Sequence, residues 1–258
     1  MKKLLLLFFL LSFFTINVKG QFPYDSIKGQ YPYEKFPAIK FKTKGKWVVY
    51  DMRDKENKMH WTMTFPKFYG NKDDMTVEIT TFGYKDTSEI RIFKNKKQIQ
   101  KIVEPFAIGR RWSMLLDSVY YTDINGDSLV DLKILCWYGG CGIAMLNMRV
   151  IYLFQQKDNT FKKVSYVDMA LEQAERDFSG DGNYEIMTRS LDHYQGHSYW
   201  TYNLYNYKNE KFICVNDKFN YPIMIQYLNR ENFKVTEKIS KQKMKTFSRK
   251  LPEDFDIR

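Results

Sequence analysis

The chain has 258 residues, which suits one domain or two small ones, and its 44% hydrophobic content is enough for a sizeable core. Its 41 Lys and Arg exceed its 30 Asp and Glu, a formal net charge of +11. Three His leave few candidates for imidazole acid–base catalysis, and no zincin, nucleophile-elbow, phosphate-loop or dinucleotide fingerprint occurs. Aromatic residues make up 17% of the chain, with 19 Tyr and 20 Phe, and such rings suit half-buried pleated surfaces.

Residues 1–20 read as a secretory signal peptide. Lys2 and Lys3 precede an apolar run from Leu4 to Phe14 broken only by Ser12, and Val18-Lys19-Gly20 offers a cleavage point. The run is short for a helix crossing ~30 Å of hydrocarbon. No later stretch is apolar enough to span a bilayer, so no transmembrane segment is expected in the mature chain. Removing Lys2, Lys3 and Lys19 leaves 38 − 30 = +8. The expected location is periplasmic or extracellular.

Lys46–Tyr50 and Trp61–Phe65 read as two strands around a charged turn. Met75–Ile102 then has a strand–turn–strand–turn–strand rhythm. A stronger repeat follows. DINGDSLVDLKIL from Asp123 and DFSGDGNYEIMTRSL from Asp177 are each followed by a Gly-containing connection, a strand pattern, a polar turn and another strand. The loop starts stand 54 residues apart, and the closing aromatics Phe161 and Phe212 stand 51 apart. Alternation puts Ile151 and Leu153 on one face, with Val150, Tyr152 and Phe154 opposite; it likewise separates Tyr202 and Leu204 from Thr201, Asn203, Tyr205 and Tyr207. His193 and His197 flank a Gly196 hairpin turn, where a solvated turn is the expected role. Trp137, Tyr138, Tyr194, Tyr199 and Trp200 lie near the connections, as core rings or sugar-stacking surfaces.

Each acidic loop carries oxygen-bearing side chains at alternate positions: Asp123, Asn125, Asp127 and the closing Asp131, then Asp177, Ser179, Asp181 and the closing Glu185. Leu129 and Asn183 stand where main-chain carbonyls would complete a shell. Calcium takes six to eight such oxygen ligands. Three carboxylates gathered without a cation repel one another, so an ion is the natural compensation. An EF-hand would need an acid at the twelfth position, where Ile134 and Thr188 stand, and would run into helices rather than the strand-like Leu132–Trp137 and Ile186–Leu191.

The two loops and the strands after them, roughly residues 117–215, resemble the nine-residue calcium loops of FG-GAP and VCBS-type repeats of extracellular proteins. The resemblance implies two structural Ca2+ sites, ligated by side chains at the first, third, fifth and ninth positions and by the carbonyl of the seventh. Departures are the missing Phe-Gly…Gly-Ala-Pro element, Ser128 in place of a glycine, and Ser179 and Glu185 as less typical ligands.

The expected fold is all-β, built of repeated antiparallel units resembling propeller blades, as a small or incomplete propeller or two packed sheets. The repeat domain is expected over 21–222, with units at about 75–105, 117–166 and 172–215. A basic segment, 223–258, is expected to be helical from Glu237 to Arg249 or flexible. Cys136 and Cys141 are spaced to pair across a Gly139-Gly140 turn, and the three Cys leave that pairing open. The expected function is a non-enzymatic, calcium-stabilised binding module with a protein or glycan partner and no nucleic acid; an inhibitor of a foreign enzyme is one form of this. The alternative is a secreted hydrolase acting on polysaccharide, which calls for a cleft holding two acids outside the calcium loops.

Overall fold

The computed structural model describes residues 31–52, 58–70, 72–109, 113–169, 174–227 and 239–258. The signal-peptide reading lies outside the described residues. The fold is all-β and antiparallel throughout, in three sheets that do not close a propeller ring.

The first sheet is a five-stranded meander of β2 (Val48–Met52), β3 (Lys58–Phe65), β4 (Met75–Thr81), β5 (Ser88–Lys94) and β6 (Lys97–Glu104). Its last three strands are the strand–turn–strand–turn–strand unit read from Met75 to Ile102. The central sheet holds β1 (Lys42–Gly45), β8 (Ser118–Thr122), β9 (Asp131–Trp137), β10 (Asn147–Gln155), β11 (Phe161–Met169) and β17 (Glu253–Ile257) in that order, with β7 (Met114–Leu115) also pairing β9. The third sheet runs β12 (Glu175–Arg176), β13 (Glu185–Tyr194), β14 (His197–Lys208) and β15 (Lys211–Cys214), and β16 (Ile223–Gln226) also pairs β14.

The central sheet packs between the other two. Ile151 and Leu153 pack with Met63, Val77 and Ile90 of the first sheet. On the opposite face of the same strand, Val150, Tyr152 and Phe154 pack with Ile186, Tyr205 and Tyr207 of the third. The central sheet is thus covered on both faces, which is why eight of the nine β10 residues are buried. The outer face of the third sheet carries Trp200, Tyr202 and Leu204 against Tyr33, Phe178 and Tyr221. Tyr199 and Trp200 are therefore core rings, whereas Tyr138 is exposed and stacks on Phe106 at 5.1 Å.

One buried charged cluster joins the first and central sheets and ties down the C-terminus. Glu104 at the end of β6 is fully buried between Arg149 and Lys163, each at 2.7 Å, and accepts from Ser165 at 2.8 Å. Lys163 also meets Asp256 of β17 at 2.6 Å, and Arg149 donates to the Asp254 carbonyl. Buried charges need such partners, since an unpaired one is costly. The C-terminus is thereby locked into the central sheet.

The short helix expected in the basic C-terminal segment is present, and the chain beyond it is a strand. Among the described residues of this segment, helix comprises α2 (Lys241–Met244), started by the Ser240 side chain accepting from the Lys243 N–H, and a 3-10 turn at Lys245–Phe247; α1 (Asn216–Phe219) is a single turn earlier in the chain. Met244 and Ile239 are buried against Tyr199 and Met224, which leaves the lysines on the outer side. Beyond Pro252 the chain is β17, and Phe255 stacks on Phe212 at 5.6 Å. Ile223–Gln226, placed in the basic segment by sequence, belongs to the third sheet. All three cysteines are free: Cys136 faces the core while Cys141 is exposed.

Candidate functional site

The two acidic loops occupy equivalent places. The first links β8 to β9, and the second links β12 to β13. Both run into strands, in agreement with the reading against an EF-hand.

Their main-chain to carboxylate bonding follows one pattern. Asp123 accepts from the N–H groups of Gly126, Asp127 and Ser128 at 2.8, 3.2 and 2.8 Å. Asp177 accepts from Gly180, Asp181 and Gly182 at 2.6, 3.2 and 3.2 Å. Asp127 accepts from the Leu129 N–H at 2.9 Å, and Asp181 from that of Asn183 at 3.0 Å. The ninth residue reaches back to the second: Asp131 accepts from the Ile124 N–H and Glu185 from the Phe178 N–H, each at 2.9 Å. Each ninth residue is also braced from the third strand of its own sheet. The Gln155 N–H donates to Asp131 at 2.9 Å, and the Asn206 side chain to Glu185 at 3.4 Å.

The left-handed backbone positions match as well. Gly126 and Gly180 have φ of 74° and 75°; Ser128 and Gly182 have 68° and 78°. Ser128 thus holds the glycine conformation with a side chain attached, which explains how the loop keeps its shape despite that departure.

The loops also touch each other. The Tyr184 N–H donates to the Ile124 carbonyl at 3.0 Å. Gly126 sits so close to the second loop that a Cβ there would lie 3.1 Å from the Gly182 carbonyl oxygen and 3.2 Å from the Asn183 nitrogen. Together they line one cleft of about 450 Å³, with Asn125 and Asp127 from the first loop, Asp181 and Asn183 from the second, and Lys208 and Glu210 from the β14–β15 turn. The sequence reading treated the loops as separate units. Their contact arises from stacking of the central and third sheets, which no local pattern announces.

Electrostatics differ along each loop. Asp131 is fully buried, and its carboxyl is pushed up to about 8 by burial, with the charges of Asp127 and Asp123 adding to the rise. Burial likewise raises Glu185. The exposed Asp181 is held below the usual carboxylate range, first by the Asn183 N–H and then by the Ser179 hydroxyl. A cation placed beside the closing acids would reverse their rise, because an opposite charge favours the ionised form. Among the described residues, no three His, Cys, Asp or Glu side chains are gathered closely enough to form a preassembled metal group. The carboxylates of Asp123, Asp127, Asp177 and Asp181 are instead turned onto main-chain N–H groups of their own loops. The donor set itself, all oxygen and rich in carboxylate, fits a hard cation such as Ca2+.

His193 and His197 stand on either side of the two-residue turn Gln195–Gly196, as expected. They bond to Ser198 and Gln226, respectively.

Comparison with protein families, curated proteins and solved structures gives no match for this chain.

Proposed function

We propose that this chain is an exported, calcium-stabilised β-repeat protein that works as a non-enzymatic binding module of the cell envelope or exterior. The observation that carries the reading is the duplicated loop: two nine-residue segments with matching hydrogen bonds, matching left-handed positions and an acid closing each. Turn residues alone explain one tight loop. They do not require a buried acid at the ninth position of both, each bonded back to the main-chain N–H of its loop's second residue.

Asp123, Asn125, Asp127, Asp131 and the Leu129 carbonyl would hold one ion; Asp177, Ser179, Asp181, Glu185 and the Asn183 carbonyl would hold the other. Bound Ca2+ supplies positive charge to neutralise three carboxylates per loop. The loops then fix where β8 meets β9 and where β12 meets β13. Because they abut, each site stiffens the entry to two stacked sheets. Export rests on residues 1–20, and likeness to FG-GAP and VCBS-type repeats rests on the loop spacing.

A protein partner is favoured by the edge of the first sheet, where Val48, Val49 and Tyr50 are 52%, 53% and 53% exposed on β2.

The test is thermal melting of the mature chain with calcium and with chelator. The melting temperature should be higher with calcium, and the difference should vanish in Asp127→Ala/Asp181→Ala. Superimposable wild-type curves in the two conditions would sink the reading.

A further inference from the structure

Away from the loops, the face of the central sheet that looks toward the third sheet holds a cavity of about 430 Å³. Tyr120, Leu135, Met148, Val150, Tyr152 and Tyr166 form the sheet side, and Phe41, Leu116 and Ala174 close the rest. Its volume lies within the 300–1,000 Å³ range of small-molecule sites, where apolar walls and a few placed polar groups are the rule.

The polar groups are Lys133 and Asp168, with the hydroxyls of Tyr152 and Tyr166. Lys133 is buried, and its charge is already answered by Glu175 at 2.5 Å. Tyr152 donates its hydroxyl proton to the same Glu175 oxygen. The other oxygen of Glu175 is buried and has no hydrogen-bond partner among the described residues. Glu175 does not itself line the cavity; it grips the two side chains that do. Asp168 accepts from the Arg189 N–H at 2.7 Å and is the one carboxyl on the wall.

Three consequences decide the ligand. The walls are aromatic and aliphatic, so the body of the ligand is apolar and ring-bearing. The lining cation Lys133 is already paired with Glu175, so an anion finds no free counter-charge on the wall. The Asp168 carboxyl at the polar end favours a molecule that donates a hydrogen bond. We propose that this cavity binds an uncharged, ring-containing small molecule carrying a hydrogen-bond donor, such as an aryl amine, a phenol or an indole. A cavity near 150 Å³ takes benzene, so this one takes a body of about three fused or linked rings.

Two probes share one skeleton and differ in charge: neutral N-phenyl-1-naphthylamine and its sulfonate, 8-anilino-1-naphthalenesulfonate. Both brighten in apolar surroundings. The neutral probe should bind the full mature chain saturably, one per chain, and the sulfonate at least about tenfold more weakly. Ala174→Phe and Leu116→Trp fill the cavity from separate walls, and Leu116 is only half-buried, so that variant tolerates the change. In each variant that keeps a cooperative melt, neutral-probe binding should fall at least about tenfold. Equal binding of the two probes, unsaturable binding, or unchanged binding in a folded filled variant would overturn the assignment. Should both filled variants fail to melt cooperatively, competition decides: 2-naphthol should displace the neutral probe from the wild type and 2-naphthalenesulfonate should not, and the reverse result overturns it. Asp127→Ala/Asp181→Ala should bind the neutral probe as the wild type does, which separates this site from the calcium reading.

Discussion

Gly126→Ala against Gly180→Ala isolates the contact between the two loops. The glycines are equivalent by position, with φ of 74° and 75°, so alanine meets the same left-handed penalty at both, about 1–2 kcal/mol. Their surroundings differ. Around Gly180 nothing lies within 4 Å of a built Cβ. At Gly126 the Cβ meets main-chain atoms of Gly182 and Asn183 at 3.1–3.2 Å. Those atoms are held in turn, since the Gly182 N–H donates to Asp177 and the Asn183 N–H to Asp181. Yielding therefore strains the second loop, and overpacking of this kind costs about 1–3 kcal/mol. Urea unfolding should show Gly126→Ala losing about 2–5 kcal/mol and Gly180→Ala about 1–2 kcal/mol, with unchanged slopes. Losses equal within error would mean that the loops do not rest on each other, and the account of a paired site would fail.

Ser128→Gly relieves the left-handed strain at φ 68° but loosens the unfolded chain, so a net gain of about 0.5 kcal/mol is expected in the same assay. Lys163→Met removes the cation shared by Glu104 and Asp256 in the sealed interface and should cost about 3–5 kcal/mol, whereas Lys101→Met, at the exposed pair with Glu89, should cost under about 1 kcal/mol. Burial pushes the Asp168 carboxyl up to about 7, with the Arg189 N–H and the charges of Arg189 and Lys133 pulling the other way. Between about pH 4 and pH 7 the folded chain then holds the proton that the unfolded chain has released, so Asp168 makes stability fall with rising pH by up to about 1.4 kcal/mol per unit. Asp168→Asn should flatten that part of a pH series of urea midpoints, and an unchanged slope would refute the buried, proton-retaining carboxyl.

The parts of the fold legible in the sequence are those governed by short periods. The β10 alternation separated Ile151 and Leu153 from Val150, Tyr152 and Phe154, and each set meets a different sheet. The placement of both acidic loops before strands followed from the same pattern. What stayed hidden is held by long-range partners. β17 has few apolar residues and becomes a strand because Phe255 finds Phe212 and Asp256 finds Lys163. Glu104 looks like any strand-end acid until Arg149 and Lys163 close on it. Within the stretch read as helix from Glu237 to Arg249, the described residues give α2 and a 3-10 turn; Met244 is held in a hydrophobic cluster, and the chain then reaches the central sheet. The cavity beside Lys133 and Asp168 is likewise a product of layer stacking, with its lining drawn from residues 41 to 174.

Calcium counted per chain is the most direct measure of the central claim. Equilibrium dialysis of the mature protein at calcium concentrations spanning ~10⁻⁵–10⁻² M should give two saturable ions, with affinities near the ~10⁻⁴–10⁻³ M common for extracellular modules. Asp127→Ala and Asp181→Ala should each retain one ion, and the double variant none. A wild-type chain that binds no saturable calcium across that range would contradict the account.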